Sequence, residues 1–441
     1  MHTISKIYFL LLVFFIGGCS GASDYLGFTE KEVPLEGKRI SIVDTEEKLY
    51  LDKNSEVIEV TLPAARIITE WPQRDMNSTN MVGHAMATLD MKDIWSVGLG
   101  AGDGDETRIL SQPVIMDGFV YTLDAHTTLR AYNINEGRLA WLNNLRPDNE
   151  SKSASIGGGI AVNSNLVIVS TAYGYLIALS KDNGKLVWQF YTGAPIRSAP
   201  TIFNNRVFVV LVDNKTLAIN VENGGLIWRH EGNPELATLM TAASPAVDEE
   251  IVVTPYSNGE VVALRADSGV VAWSHNLVEE GRIDSSALLT DIDAGPVISQ
   301  GKIYVASAVG KLVAIERRSG LRLWDRNIKI VETPAVIGNF IFLINLDGEV
   351  VCINNKDGGL VWITSLKEKI GNFSKGRWLG PIVVDEKLVI AGGDRRLIVL
   401  DAKNGSILSN IGIKNNPASS PIIVGDNIFI YTRNAELLSL R

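Results

Sequence analysis

Short β-branched runs separated by polar turns recur along most of the chain. The stretch from Pro245 to Trp273 shows the pattern once. After an acidic turn comes the run from Ile251 to Thr254, and Asn258-Gly259 separates it from the run from Val261 to Leu264. The pattern predicts four antiparallel strands joined by tight turns. A meander this short cannot bury its apolar faces alone, so it requires neighbouring copies of itself.

Copies of this pattern keep a fixed spacing of 28 residues between a starting and a closing position. Five copies have proline and tryptophan there: Pro113/Trp141, Pro200/Trp228, Pro245/Trp273, Pro296/Trp324 and Pro334/Trp362. Two keep the spacing with one position changed: Ile160/Trp188 and Pro381/Ser409. A glycine stands four residues before every closing position: Gly137, Gly184, Gly224, Gly269, Gly320, Gly358 and Gly405. Glycine accepts the positive φ that a tight turn between strands requires.

The two ends of the repeat region complement each other. Pro421 starts an eighth copy that runs out at Arg441 after its third strand, and Trp95 closes a strand that has no first three. We predict that the strand around Ile94 to Val97 completes the last copy, so that no sheet edge stays open. The sequence therefore predicts an all-β fold, an eight-bladed β-propeller of four-stranded antiparallel blades over residues 93–441.

The N-terminal 92 residues carry no copy of the repeat. Residues 1–18 combine Lys6 with an apolar core from Ile7 to Ile16, and small residues lead to Cys19. The apolar run is too short to span a bilayer comfortably, which favours a cleaved signal peptide. Residues 19–92 are interpreted as a tether and an N-terminal extension, with short strand candidates at Arg39 to Val43 and Val57 to Leu62.

Composition narrows the classes of function. The chain has 441 residues and a formal net charge of -9, without a block of Lys or Arg, which argues against a nucleic-acid partner. Its histidines are not spaced as metal ligands, and it has no G-x-S-x-G motif. We interpret Asp103 to Glu106 as a solvated loop rather than a calcium site. Cys352, in a predicted strand, is interpreted as a core residue. We therefore expect no metal, no cofactor and no catalytic residues.

The residues that precede each starting position are small in seven of eight copies: Gln112, Gly159, Ala199, Ser244, Gly295, Thr333, Gly380 and Ser420. The first strand of a propeller blade lies nearest the axis. Crowding of these innermost strands explains small residues better than a ligand site does.

The arrangement of Ile177 to Trp188 resembles the repeat of pyrroloquinoline-quinone (PQQ)-like propellers. With the lipobox-like run before Cys19, and with Trp71 to Gln73 and Trp95 to Gly100, the chain resembles the BamB family of outer-membrane assembly lipoproteins, especially its alphaproteobacterial members. The resemblance implies cleavage before Cys19 and its lipidation with fatty acids such as palmitate. An aspartate after the lipidated cysteine would resemble an inner-membrane retention signal. The chain has Ser20 there, so the resemblance implies that the protein is located on the periplasmic face of the outer membrane.

This resemblance also implies a function. The expected role is a non-enzymatic scaffold of the β-barrel assembly machinery, which binds the POTRA domains of BamA, with contact to unfolded outer-membrane protein clients left open. The alternative is a periplasmic PQQ-dependent oxidoreductase-like propeller. Against it, the sequence lacks the adjacent cysteines of PQQ dehydrogenases.

The connections between copies predict a binding face. They range from ten residues (Trp324 to Pro334) to more than twenty (Trp273 to Pro296), whereas lengths inside a copy are nearly constant. All of these connections emerge on one face of the ring, so length variation marks that face as the binding face.

Four residues on this face are the predicted partner-binding residues. By resemblance to BamA-contacting loops of the family, they are Ile196, Arg197, Asp291 and Asp293. A purely structural alternative is that Arg197 pairs with the two aspartates across the mouth of the central funnel.

Overall fold

The computed structural model describes residues 49–51, 58–151, 157–234, 243–277, 292, 294–308, 310–371, 377–392 and 394–441. These residues form eight separate sheets, each the blade of one propeller. The short helix Leu366–Ile370 follows the sixth blade. Across the described residues, none of the helices has the length and apolar character needed to cross a membrane. The prediction of an all-β, eight-bladed propeller is confirmed.

The blades follow one another along the chain, and we number their strands first to fourth in chain order. Blade 1 consists of Val114–Met116, Phe119–Leu123, Thr128–Asn133 and Leu139–Asn144. Blade 2 consists of Gly158–Val162, Leu166–Thr171, Tyr175–Ser180 and Leu186–Tyr191. Blade 3 consists of Thr201–Phe203, Arg206–Val210, Lys215–Asn220 and Leu226–Glu231. Blade 4 consists of Ala246–Val247, Ile251–Pro255, Glu260–Arg265 and Val271–Asn276.

The second half of the ring repeats this plan. Blade 5 consists of Val297–Ser299, Lys302–Ala306, Leu312–Glu316 and Arg322–Arg326. Blade 6 consists of Ala335–Ile337, Phe340–Ile344, Glu349–Asn354 and Leu360–Ser365. Blade 7 consists of Trp378–Val384, Lys387–Gly392, Arg396–Asp401 and Ile407–Gly412. Blade 8 contains Ile422–Val424, Asn427–Tyr431 and Glu436–Leu440.

A strand from the N-terminal side completes blade 8. Asp93–Gly98 pairs antiparallel with Glu436–Leu440, and Val97 lies opposite Leu437. Lys92 and Arg441 exchange both backbone hydrogen bonds, at 2.8 and 3.0 Å. The strand Asp93–Gly98, which precedes blade 1 in the chain, thus pairs with the last strand of the ring, Glu436–Leu440. The predicted closure is confirmed.

Each closing tryptophan donates a hydrogen bond from its indole to a backbone carbonyl oxygen of the next blade. The Trp141 indole Nε1 donates to the carbonyl oxygen of Lys181 in blade 2 at 3.0 Å. The same bond recurs from Trp188 to Val221 and from Trp95 to Ile134. A Cβ on Gly184, whose φ is 68°, would come within 2.5 Å of Trp141 Cε3. Glycine is therefore required at this position of the repeat for two reasons: the turn needs a positive φ, and the indole of the preceding blade leaves no room for a Cβ.

The core lies between adjacent blades. Second and third strands are almost entirely buried, as in Leu166–Thr171, whereas fourth strands expose alternate positions. Cys352 is buried in the third strand of blade 6, as predicted, and burial raises the pKa of its thiol. Gly159 is crowded too, since a Cβ there would clash with Ala199. Packing against blade 3 thus explains the small residue at this position of blade 2.

Two strand predictions in the extension have different outcomes. Residues Ile58 to Leu62 form no strand, so that prediction is wrong where the structure describes it. They alternate in burial without a pairing strand: Val60 joins the core between blades 6 and 7, and Ile58 and Leu62 pack against it. The alternation reflects packing against a surface rather than sheet pairing. The candidate at Arg39 to Val43 lies outside the described residues.

Candidate functional site

The two faces of the ring are built by different connections. In an antiparallel blade, the turn between the second and third strands and the connection to the next blade emerge together. We call that side the upper face. The turns between the first and second strands and between the third and fourth strands form the lower face. Arg197 lies on the upper face, in the connection from blade 2 to blade 3.

A segment outside the repeats occupies the axis of the ring. We call residues 63–88 the axial plug. It contacts, in every blade, the first strand or a residue close to it. The partners, plug residue first, are Trp71 and Ile115, Pro72 and Val162, Gln73 and Ile202, Ser78 and Val247, Thr79 and Ile298, Asp75 and Thr333, Ala85 and Val384, and Ile68 and Gly425.

Backbone pairing holds the plug at several of these points. Trp71 and Ile115 exchange two hydrogen bonds of 2.7 Å. His84–Ala85 adds a fifth, parallel strand to blade 7. The plug therefore satisfies backbone groups that the innermost strands would otherwise expose to the axis. Sequence reasoning left this segment unassigned.

Trp71 anchors the plug. Its side chain is 1% exposed, and its Nε1 donates to Gln112 Oε1 at 3.2 Å. Gln112 Nε2 in turn donates to the Ser420 carbonyl oxygen at 3.2 Å, which links blade 1 to blade 8. Gln112 was the one large residue among the small ones before the first strands. Its size is explained by this bridge between plug and ring.

A tight turn places an acidic side chain at the axis. Asp75 and Met76 have φ of 54° and 75°, and Asn77 Oδ1 accepts from the Thr79 and Met81 amides. Asp75 Oδ2 accepts from Thr333 Oγ1 at 2.8 Å. Burial raises the pKa of the Asp75 carboxyl, and nearby Arg74 opposes the shift. The Asp, Asn and Ser residues of this segment were the sequence signal for such a turn.

Glu332 joins three blades on the upper face. Arg377 Nη2 lies 2.7 Å from Glu332 Oε1, and Ser420 Oγ donates to Glu332 Oε2 at 2.8 Å. Glu332 is buried with both partners in place. Glu332 thus connects blades 6, 7 and 8 through one ion pair and one hydrogen bond.

The loop that carries the predicted partner-binding residues is held firmly. Thr192 Oγ1 lies within hydrogen-bond distance of the carbonyl oxygens of Gly174 and Ala194, at 2.9 and 2.7 Å, and its single proton is available to either. The Val212 amide donates to Pro195 O at 3.1 Å, and the Ile196 amide donates to Thr171 O at 3.1 Å. A loop fixed at this many points loses little entropy when a partner binds.

The structure gives the predicted site residues different places. Ile196 is 0% exposed and packs in the core between blades 2 and 3, where it bridges to Leu211. Arg197 is partly exposed, and its carbonyl oxygen accepts from the Gly158 amide at 3.3 Å. Asp291, Asp293 and the predicted lipidation residue Cys19 lie outside the described residues. The pairing of Arg197 with the two aspartates therefore stays a prediction.

Metal-ligating side chains are not clustered in the part of the chain that the structure describes. Among the described residues, no group of three or more His, Cys, Asp and Glu side chains is placed to hold a metal ion. Here the plug occupies the axis, and its polar groups bond to the ring through Gln112 and Thr333. Asp103 Oδ1 accepts from the Ile109 amide within its own loop.

Comparisons with known proteins identify relatives. A family model described as outer membrane protein assembly factor BamB matches residues 125–364 and 346–441. The protein of that name from Shewanella oneidensis is 24% identical over 358 residues, which cover 80% of this chain and 89% of the relative. The one from Yersinia pestis is 22% identical over 346 residues, which cover 77% and 86%.

Solved structures share the fold. The crystal structure of BamB from Moraxella catarrhalis has a TM-score of 0.68 at 16% identity and covers 80% of this chain and 99% of that one. A quinohemoprotein alcohol dehydrogenase from Comamonas testosteroni has a TM-score of 0.64 at 13% identity and covers 85% and 81%. Identities this low establish the propeller fold alone.

Proposed function

This chain belongs to the family of the outer membrane protein assembly factor BamB, and we propose that it is a non-enzymatic scaffold lipoprotein of the β-barrel assembly machinery. In this role it binds the POTRA domains of BamA and assists the insertion of outer-membrane proteins.

The observation that carries the proposal is the firmly held loop between blades 2 and 3. It presents a partly exposed arginine on the face where connection lengths vary, and its backbone is bonded on both sides. Arginine on a rigid surface is a common anchor of protein interfaces, because its planar group pairs with carboxylates and packs on apolar side chains.

The four predicted partner-binding residues divide by role in this proposal. Arg197 contacts the partner directly. Ile196 is buried, so we assign it the role of fixing the loop in the core through its bridge to Leu211. Asp291 and Asp293 are proposed as a second contact loop, two blades further around the ring.

Membrane attachment is a separate part of the proposal. We propose that residues 1–18 are removed and that lipidated Cys19 holds the protein on the periplasmic face of the outer membrane. Fatty acyl chains supply membrane affinity in proportion to their buried length. Cys19→Ala should therefore release the protein from the outer-membrane fraction. Unchanged fractionation of this variant would contradict lipid attachment and leave the scaffold role untouched.

Copurification tests the scaffold role. A C-terminally tagged protein is purified from detergent-solubilised outer membranes, and a tagged Cys19→Ala variant serves as the control for anchoring. We expect a large β-barrel protein with POTRA repeats in the wild-type eluate. An eluate without such a protein, or a quinone absorbance in the purified chain, would overturn the proposal.

A further inference from the structure

Blade 2 carries an aromatic pair beside the loop of Arg197. Tyr175 begins the third strand and Tyr191 ends the fourth, and the two residues lie opposite each other. Their ring centroids are 5.1 Å apart at an interplanar angle of 47°. The pair lies at the upper end of the blade, where the connection to blade 3 starts.

The repeats provide an internal comparison for this pair. In six other blades, the same register position is occupied by residues other than aromatic ones: Thr128/Asn144, Lys215/Glu231, Glu260/Asn276, Glu349/Ser365, Arg396/Gly412 and Glu436/Gly98. These blades fold on the same plan, so the blade architecture does not require an aromatic pair there.

The two rings differ in exposure: Tyr175 is partly buried and packs against the core between blades 1 and 2, whereas Tyr191 is exposed. Tyr191 is 61% exposed, although a large aromatic side chain gains most when it is buried. The loop beyond it exposes Gly193 and Pro195 on the way to Arg197. Gly174 allows the close approach of this loop, since a Cβ there would lie 3.0 Å from Ala194 O and 3.2 Å from Tyr191 Cε2. Aromatic side chains held this way on a rigid surface are typical interface anchors.

We propose that Tyr175, Tyr191, Pro195 and Arg197 form one docking surface, the blade 2 ridge. Arg197 follows Tyr191 by six positions, so their Cα atoms lie at most about 20 Å apart. Its partner is a folded protein element that presents an apolar side chain to the tyrosines and a carboxylate to the arginine. The inference rests on the proposed function, in which that partner is a POTRA domain of BamA, and it adds the tyrosine pair as the apolar half of the contact.

The test replaces Tyr191 by a residue that the fold already accepts at this position. Blades 1 and 4 have Asn144 and Asn276 there, so Tyr191→Asn keeps a side chain compatible with the blade. Leu186→Ala is the matched control, because Leu186 is 55% exposed at the opposite end of the same strand. Tyr191→Phe retains the ring. Binding is measured by titration with the purified POTRA region of BamA from the same organism.

We expect Tyr191→Asn to weaken binding by roughly 10- to 100-fold, as truncation of an aromatic anchor does. Tyr191→Phe and Leu186→Ala should stay within about twofold of wild type. Wild-type affinity in Tyr191→Asn would overturn the ridge and leave the proposed function intact. If the wild-type chain does not bind the POTRA region, both proposals fail. The ridge would also be overturned if Tyr191→Asn kept its affinity for the POTRA region but lost affinity for lipid vesicles.

Discussion

The axial plug and the blade 2 ridge differ in what their side chains contact. The plug is bonded to all eight blades, and its central residue Trp71 is buried. The ridge exposes Tyr191 and part of Arg197, although its backbone is held firmly. Buried, bonded groups determine folding stability, whereas exposed groups on a rigid surface contribute to binding. Substitutions in the plug should therefore change stability, and substitutions in the ridge should change affinity.

The largest effect is expected where the ring closes. Deletion of residues 91–99 removes the fourth strand of blade 8 and exposes the edge of Glu436–Leu440. We expect loss of cooperative thermal unfolding and aggregation of the purified chain. Calorimetry against the intact protein measures this, and an intact transition in the deletion variant would refute the closure.

A single substitution in the plug should come next. Trp71→Ala removes a buried aromatic ring and leaves Gln112 without its indole donor. We expect the free energy of unfolding to fall by about 3–5 kcal/mol. Urea denaturation measures the change, with Ile67→Ala as the control, since Ile67 belongs to the same plug and is 63% exposed. Equal losses of unfolding free energy in both variants would show that the buried Trp71 contacts do not stabilise the ring.

The sequence predicts the blades far better than the plug. A blade's strands are neighbours in the chain, so spacing and turn residues define them locally. The plug pairs instead with strands that are remote in sequence, such as the bond of Asn80 Nδ2 to Pro296 O, 216 residues away. No periodicity of its own marks those partners.

The candidate site shows the same limit. The loop of Ile196 and Arg197 was placed on the variable face from connection lengths. The burial of Ile196 depends on Leu211 in the next blade, which no local pattern reveals. The spacing of the copies puts Tyr191, Asn144 and Asn276 three residues after their closing tryptophans, but the exposure of Tyr191 and its pairing with Tyr175 required the structure.

A smaller effect should separate two glycines of the same blade. Gly184 has a φ of 68° and lies under the Trp141 indole, whereas Gly193 has a φ of 84° with no atom within 4 Å of an added Cβ. Gly184→Ala should cost about 3 kcal/mol from backbone strain and overpacking together. Gly193→Ala should cost about 1 kcal/mol from strain alone. Urea denaturation compares them, and equal costs would contradict the role of the indole contact.

The pH dependence of stability tests the axial carboxyl. Burial raises the pKa of Asp75, so the folded chain binds this proton more tightly than the unfolded chain does. Its contribution to stability is present below the unfolded pKa and is lost as pH rises through the folded pKa. Asp75→Asn should therefore gain stability relative to wild type as pH rises.

Asp385 is the control of opposite sign, since Lys387 lowers its pKa. Its contribution is present above the unfolded pKa and is lost as pH falls through the folded pKa. Asp385→Asn should therefore lose stability relative to wild type as pH rises. Urea denaturation between about pH 2 and pH 8, at intervals of about one unit, follows both variants, because the change for Asp385 falls below the ordinary aspartate pKa and the change for Asp75 falls above it. Parallel pH profiles for Asp75→Asn and wild type would show that the axial carboxyl is not buried as described.

The most direct test of the scaffold account measures melting temperature and POTRA affinity on the same Arg197→Glu preparation. A surface charge contributes little to folding, whereas a reversed charge at an interface removes an anchor and adds repulsion. We expect binding to weaken roughly 30-fold or more while the melting temperature stays near that of wild type. A variant that melts early but binds as wild type would contradict it, because Arg197 would then serve the fold and not the partner.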